Sequence, residues 1–443
     1  MSEEIPALKA YRASILHFIA NPAQLNVDES SSYEYFNDGL LVVEDGCIKA
    51  CGDASELLAS YQQAGIALEV KDYTGKLIMP GFIDTHTHYP QTDVIGSYGA
   101  QLLDWLNTYT FPMEARFSDL DLANDVANFF CDELLRNGTT TAMVFATIHK
   151  NSVDAIFNAA NTREMRLIAG KVMMDRNAPE NLRDTAESSY EQSKHLIQKW
   201  HGQNRLSYAI TPRFAPTSTE KQLELAGKLF AEFDGVYLQT HVAENTDEVA
   251  WVKQLFPWSR SYLDVYDHYG LLGERAIYAH CIYLDEQDHK RMADTQTAMA
   301  FCPTSNLFLG SGLFDMNSAQ VMGIPVGMAT DVGGGTSFSM LQTLNEAYKV
   351  LQMNGQSLSP FQAFYQATLG SAESLKLDDK IGNFEVGKEA DFIVVDLEAT
   401  PLMKRRMSHA DNLKEQLFAL MILGGDRNIA ATYTLGECRR EKV

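Results

Sequence analysis

Pro80-Gly81-Phe82-Ile83-Asp84-Thr85-His86-Thr87-His88 is the stretch from which the rest of the chain can be read. The short apolar run from Lys76 to Ile83, opened by Gly75, has the composition of a buried strand. It ends in His86-x-His88, and residues two apart on a strand project to the same side, so both imidazoles can meet one ion. Neutral imidazole suits zinc or iron, and a catalytic centre needs about three protein ligands and an open position for water. Taken alone, a His-x-His pair reads equally well as two surface histidines on a loop. The apolar strand feeding into it, and the histidines further on, favour the metal.

Downstream of this stretch, apolar segments alternate with longer amphipathic ones, the pattern of βα units and a parallel sheet. The first strand is read over 77–83, and others over 140–147, 167–174, 206–211, 236–240, 276–279, 298–301 and 325–329. That is about eight, the number that closes a (β/α)8 TIM-type barrel. Helical periodicity is read over 152–161, 186–200, 220–233 and 340–352. Upstream, 9–18 reads as a strand, Asp28-Glu29-Ser30-Ser31-Ser32 as a polar loop, and 39–50 as a hairpin turning at Asp45-Gly46. Strand composition returns over 384–396 and 430–438. The expected architecture is α/β: a barrel over 75–380, with a small β-sandwich domain built from both termini, 1–74 and 381–443.

In a barrel of this kind, chemistry sits at the C-terminal ends of the strands. The first strand ends in His86 and His88, the fourth runs into Thr211-Pro212-Arg213-Phe214, and the fifth ends in His241-Val242-Ala243-Glu244. The sixth ends in His280 and the eighth in Thr330-Asp331, followed by Val332 and three glycines. Three histidines and one aspartate make a tetrahedral or five-coordinate divalent site with room for water. Alone, His280 would read as a hydrogen-bonded core histidine; the recurrence at strand ends makes it part of a site. Glu244, three residues after His241, is placed to exchange protons with metal-bound water without ligating the metal. Its bland alternative is a solvated carboxylate at the helix start Asn245-Thr246-Asp247-Glu248.

Composition narrows the function classes. The 443 residues carry 58 acidic against 36 basic side chains, a net charge of −22, which repels nucleic acid and anionic membranes. Met1-Ser2-Glu3-Glu4 lacks the basic and apolar regions of a signal peptide, and no uncharged apolar run approaches a membrane span. Six scattered cysteines, at 47, 51, 131, 281, 302 and 438, read as buried free thiols in a reducing cytoplasm.

These blocks also carry a resemblance. Residues 80–88 resemble the signature of the metal-dependent amidohydrolase superfamily. Ile381-Gly382-Asn383-Phe384-Glu385-Val386-Gly387-Lys388-Glu389-Ala390-Asp391 resembles its C-terminal signature. His88-Tyr89-Pro90-Gln91, Leu102-Leu103-Asp104-Trp105-Leu106 and Tyr109-Thr110-Phe111-Pro112 are similar to blocks of the guanine deaminase family. So are Thr211-Pro212-Arg213-Phe214-Ala215-Pro216 and Phe301-Cys302-Pro303-Thr304-Ser305-Asn306. The resemblance implies hydrolysis of guanine to xanthine and ammonia in purine catabolism, a metal-bound hydroxide attacking C2. It implies one zinc ion per subunit on His86, His88, His241 and Asp331. Glu244 and Asp331 would move protons, and His280 would hold the water or the substrate. Gln91, Arg213 and Phe214 would join His241, Glu244, His280 and Asp331 in binding guanine. Relatives that bridge two metals use a modified lysine at the end of strand four; that region here offers Arg213, and Lys171 lies early in its strand. A homodimer in the cytoplasm is the family expectation.

The chemistry of these side chains agrees. Arg213, a donor-only guanidinium, can bond the C6 carbonyl of guanine but clashes with the amino group adenine carries there. Gln91 offers a donor and an acceptor to a purine edge, and Phe214 can stack on the ring. Three other readings stay open at this point. One is an amidohydrolase-superfamily enzyme acting on a different heterocycle such as 8-oxoguanine, cytosine or an s-triazine. Another is a non-catalytic scaffold. The third, a polynucleotide deaminase, lacks its H-x-E…P-C-x-x-C zinc signature.

Overall fold

Four strands open the chain: β1 (Leu8–Phe18), β2 (Tyr33–Glu44), β3 (Cys47–Asp53) and β4 (Leu68–Pro80). The computed structural model describes residues 8–23, 29–99 and 101–442; the Met1–Glu4 segment and Asp28 of the polar loop lie outside them. β2 and β3 form the expected hairpin, with Asp45 and Gly46 both at positive φ (50° and 79°), the backbone that a tight hairpin turn requires. At the other end of the chain come β14 (Phe392–Val395), β15 (Ile429–Thr434) and β16 (Glu437–Glu441). All seven join one sheet in the order β16-β15-β14-β4-β1-β2-β3, so the two termini share a single hydrogen-bonded layer. Its apolar face is packed with Tyr11, Ile15, Leu41, Phe392 and Tyr433.

The remaining strands are β5 (Phe82–His88), β6 (Thr139–Phe145), β7 (Arg166–Gly170), β8 (Val172–Met173), β9 (Leu206–Pro212) and β10 (Tyr237–Val242). β11 (Ala276–His280), β12 (Ala298–Phe301) and β13 (Val326–Met328) complete them. Eight of these, all but the short β8, run parallel in the order β5-β6-β7-β9-β10-β11-β12-β13. Two hydrogen bonds draw the ends of that order together: Thr85 Oγ1 donates to the Met328 carbonyl at 2.9 Å, and the Asp331 amide to the His86 carbonyl at 3.0 Å. The interior is filled by Ile83, Met143, Ile168, Tyr237, Ile277 and small alanines, so it is a core and not a pore. Leu375, Leu377 and Ile381 pack into the same cluster, and Tyr237 Oη donates to the Leu375 carbonyl at 2.8 Å.

The strand read over 77–83 is in fact two. Up to Pro80 it pairs with β14 in the terminal sheet; from Phe82 it belongs to the barrel. The change of sheet falls at Gly81, where a Cβ would stand 2.2 Å from Thr140 Oγ1. The strand read over 167–174 is likewise broken, into β7 and β8. Helices fall where periodicity placed them, at Lys150–Thr162, Ala186–Trp200, Glu220–Glu232 and Met340–Met353. Several features were not read from the sequence, two of them prominent. One is a chain of short helical turns over 89–118 followed by a helix at Leu120–Arg136. The other is a pair of helices, Pro401–Met407 and Leu413–Leu423, between β14 and β15. The six cysteines are free, but only Cys131, Cys281 and Cys302 are buried; Cys47 and Cys51 are half-buried and Cys438 is exposed, because it lies on the outermost strand of the terminal sheet.

Buried charge ties the terminal sheet to the barrel. Arg205, which directly precedes β9, donates to Glu389 Oε2 at 2.5 Å and to Asp391 Oδ2 at 2.6 Å, and Arg166 on β7 reaches the same Glu389. The Lys388-Glu389-Ala390-Asp391 signature is therefore a docking element that fixes β14 against the strands bearing the site.

Candidate active site

At the C-terminal end of the barrel, β5 delivers His86 and His88 to one side, as a two-residue strand period requires. His88 Nε2 lies 3.2 Å from both His86 Nε2 and His241 Nε2, and Asp331 Oδ1 lies 3.2 Å from His86 Nε2 and 3.4 Å from His88 Nε2. Ligand atoms about 2.0–2.1 Å from a tetrahedral ion stand roughly 3.3 Å apart. Burial, with smaller repulsion from neighbouring cationic groups, pushes all three histidines well below their ordinary pKa, so a proton is disfavoured between the nitrogens. The donor set and its spacing fit a zinc-like cation. His241 Nδ1–H donates to the Arg213 carbonyl at 2.7 Å, which leaves Nε2 with its lone pair toward the cluster.

Around this cluster stand groups that can move protons. Glu244 Oε2 is 3.3 Å from His280 Nε2, and Ser311 Oγ donates to Glu244 Oε1 at 2.9 Å. Burial, reinforced by the charge of Asp331, pushes the Glu244 carboxyl up to about 8; burial also raises Asp331, to about 6. His280 Nδ1 is bonded to Asn306 Oδ1 at 2.8 Å, an acceptor, so Nε2 faces Glu244 as the free ring nitrogen. Asp331 Oδ2 lies 3.8 Å from the same nitrogen. Ala243, His280 and Asp331 all hold φ between 49° and 73°, a left-handed backbone gathered at the strand ends that carry the site. The helix-start role considered for Glu244 belongs to Glu248: its Oε2 accepts from the backbone of Glu244 and Asn245, forming the capping box of the helix Thr246–Leu255.

One pocket collects the sequence-derived residues. His88, Gln91, Arg213, Phe214, His241, Glu244, His280 and Asp331 line about 420 Å³ of empty space, with His86 directly behind them. Leu102, Trp105, Leu106 and Leu309 supply apolar walls, so the helical turns after β5 close over the pocket as a lid. Lys171 sits not early in a strand but at the C-terminal end of β7. It is fully buried, ion-paired with Asp184, and does not line the pocket.

Several site residues escaped the sequence reading. Glu114 is buried, and its two oxygens accept from Gln91 Nε2 at 3.1 Å and Arg213 Nη1 at 2.6 Å. Ser311, Asn306 and Glu248 brace the proton-moving groups. Buried Asp84 accepts from the amides of His86 (3.3 Å) and Thr330 (3.0 Å), tying β5 to the segment that carries Asp331. Asn306 and Asp84 lie inside family-like blocks that gave them no role; Glu114 follows such a block by two residues. Apart from Glu248, which completes the Asn245-x-x-Glu248 cap spacing, none has a periodicity or spacing that singles it out.

Comparison with known proteins identifies the family and the fold. The sequence model of the Amidohydrolase family matches residues 77–438. The chain is 52% identical over 438 residues to the guanine deaminase of Escherichia coli strain K12, covering 98% of each protein. The solved E. coli guanine deaminase superposes with a TM-score of 0.95 at 51% identity, over 98% of this chain and 100% of that one. The guanine deaminase of C. acetobutylicum, solved with guanine in its active site, gives a TM-score of 0.86 at 30% identity, over 97% and 99% of the two chains.

Proposed function

Because this chain belongs to the amidohydrolase family, and within it to the guanine deaminases, we propose that it hydrolyses guanine to xanthine and ammonia with the side chains described above. His86, His88, His241 and Asp331 would hold one zinc ion per subunit. When bound, the ion supplies a Lewis acid that lowers the pKa of water into the neutral range. Glu244, held at one oxygen by Ser311 and facing His280 with the other, takes a proton from the attacking water and returns it to a ring nitrogen or the departing amine. Asp331 is the second base, and His280, braced by Asn306, orients the attacking oxygen toward C2.

Phe214 and the apolar lid hold the flat ring and exclude water. Arg213 donates to the C6 carbonyl, and the same charged donor would face the amino group of adenine unpaired. The observation that carries this reading is that Arg213 and Gln91 line the same pocket as the histidine–carboxylate cluster. A cytoplasmic homodimer completes the proposal, with the domain boundaries read near 75 and 380 moved to Gly81, where the strand changes sheet, and past Ile381, which packs in the barrel interior. No helix among the described residues is long and apolar enough to cross a membrane, which is compatible with that location. The test is to supply guanine to the zinc-loaded protein and follow xanthine and ammonia together. One ammonia per xanthine is expected; preferential ammonia release from cytosine or an s-triazine would overturn the substrate assignment.

A further inference from the structure

Gln91 and Arg213 face the pocket from different elements, one directly after β5 and the other after β9, yet one buried carboxylate holds both. Glu114 comes from the short helix Phe111–Ala115 of the lid. A carboxylate accepts hydrogen bonds and cannot donate them. The end of the Gln91 amide turned toward Glu114 must therefore be its NH2, whichever way an unpaired amide would settle. Arg213 is fixed in the same way: its guanidinium lies over the Phe111 ring, 5.1 Å from the centroid, and gives Nη1 to Glu114.

The other end of the Gln91 amide is then committed. Its Oε1 lies against Gly333, where a Cβ would come within 2.0 Å of that oxygen, in a backbone at φ 120°. Glycine at 333 thus leaves room for the Gln91 side chain, since a Cβ there would also come within 2.6 Å of the Gln91 Cβ. Gln91 and Arg213 both line the pocket wall, so with their ends on Glu114 fixed, Arg213 is left to offer a donor and Gln91 an acceptor. Guanine offers the complement along one edge: the C6 carbonyl accepts, and the adjoining N1–H donates. N1 is bonded to C2, so this edge leads directly to the carbon under attack.

We infer that Glu114 is a positioning residue that sets the donor–acceptor polarity of this wall, so that Gln91 and Arg213 together recognise the –CO–NH– edge of the base. The inference rests on the guanine reading above and goes beyond it. It assigns the direction of the Gln91 amide to a residue that does not itself line the pocket.

The test uses Glu114→Gln in the zinc-loaded protein, with guanine and 2-aminopurine as paired substrates and ammonia release at low concentration as the readout. 2-Aminopurine has the same amine at C2, but an acceptor at N1 and no carbonyl at C6. In the variant, the carbonyl of the introduced amide keeps Arg213, while its NH2 forces Gln91 to turn over and present a donor. The guanine rate constant should fall roughly ten- to a hundred-fold, while that for 2-aminopurine falls far less or rises. The double variant Gln91→Glu/Glu114→Gln restores an acceptor at 91 with the same total charge, and should recover the guanine preference to within about ten-fold of the starting protein. An equal fall on both substrates, or a double variant no more selective than the single one, overturns the inference. Arg213→Ala separates this failure from failure of the guanine reading. If that variant loses both substrates equally, the reading itself is wrong. If it discriminates between them and Glu114→Gln does not, only the role of Glu114 is wrong.

Discussion

In the proposed mechanism Glu244 holds a proton without holding the metal. Its two oxygens are spoken for by Ser311 and by His280, and neither is among the atoms that converge with the nitrogens of His86, His88 and His241. Glu244→Gln keeps the shape and the Ser311 contact but cannot accept a proton. Turnover should fall by roughly two to four orders of magnitude while bound metal is retained. Loss of metal, measured by elemental analysis of the purified variant, would mean that Glu244 is a ligand instead. Arg213→Ala tests the opposite wall: low-substrate turnover of guanine should drop roughly ten- to a hundred-fold more than that of 2-aminopurine, since a hydrogen bond from a charged donor is worth about 1.5–3 kcal/mol. Rates for the two purines, taken side by side at unchanged metal content, check it.

Among the elements, the contact between the terminal sheet and the barrel carries a pH signature. Burial alone would raise the Glu389 carboxyl, but Arg205 and Arg166 outweigh it and hold it below the usual glutamate range. A carboxyl lowered on folding adds stability that is fully present above its unfolded pKa, about 4.3, and is lost as pH falls through the folded value. Glu389→Gln should therefore cost about 1–3 kcal/mol at neutral pH, since Arg166 and Arg205 each lose a charged acceptor while Arg205 keeps Asp391. The gap to the parent protein should narrow below about pH 4. Denaturant unfolding of both proteins across that range measures it, and a gap independent of pH would mean that the loss comes from packing.

For the whole molecule, the proposed metal site would be a closure device as well as a reaction centre. His86 and His88 leave the first barrel strand, Asp331 follows the last, and the Asp331 amide bonds back to the His86 carbonyl. An ion held on those proposed ligands would pin the seam of the barrel. Chelation should lower the thermal midpoint by several degrees, with zinc restoring it, because a ligand held a hundred-fold above its Kd adds about 2.7 kcal/mol to the folded state. Differential scanning calorimetry with and without chelator reads the shift. His86→Ala should show the low midpoint in both conditions.

How far this could be read in advance depends on range in the chain. Strand alternation, helical periodicity and the His-x-His spacing are local, and so the barrel, the terminal sheet and the residues that the fold gathers at the strand ends were legible in the sequence alone. Even the sheet-forming ends could be matched, because turn glycines and branched residues mark both. What stayed hidden was decided by packing between distant segments. The unbroken apolar run through Gly81 conceals that Leu77–Pro80 pairs with β14, since a strand buried in either sheet has the same composition. The helix Leu413–Leu423 is apolar almost throughout, so it showed no face to read. Glu114 meets Gln91 from 23 residues away and Arg213 from 99, and nothing in its neighbours announces either contact. By itself the sequence determined which residues could bind an ion, move protons and address a purine. Only the tertiary structure decided which way each of them faces, because orientation depends on hydrogen-bond partners that the fold brings together and the chain order does not.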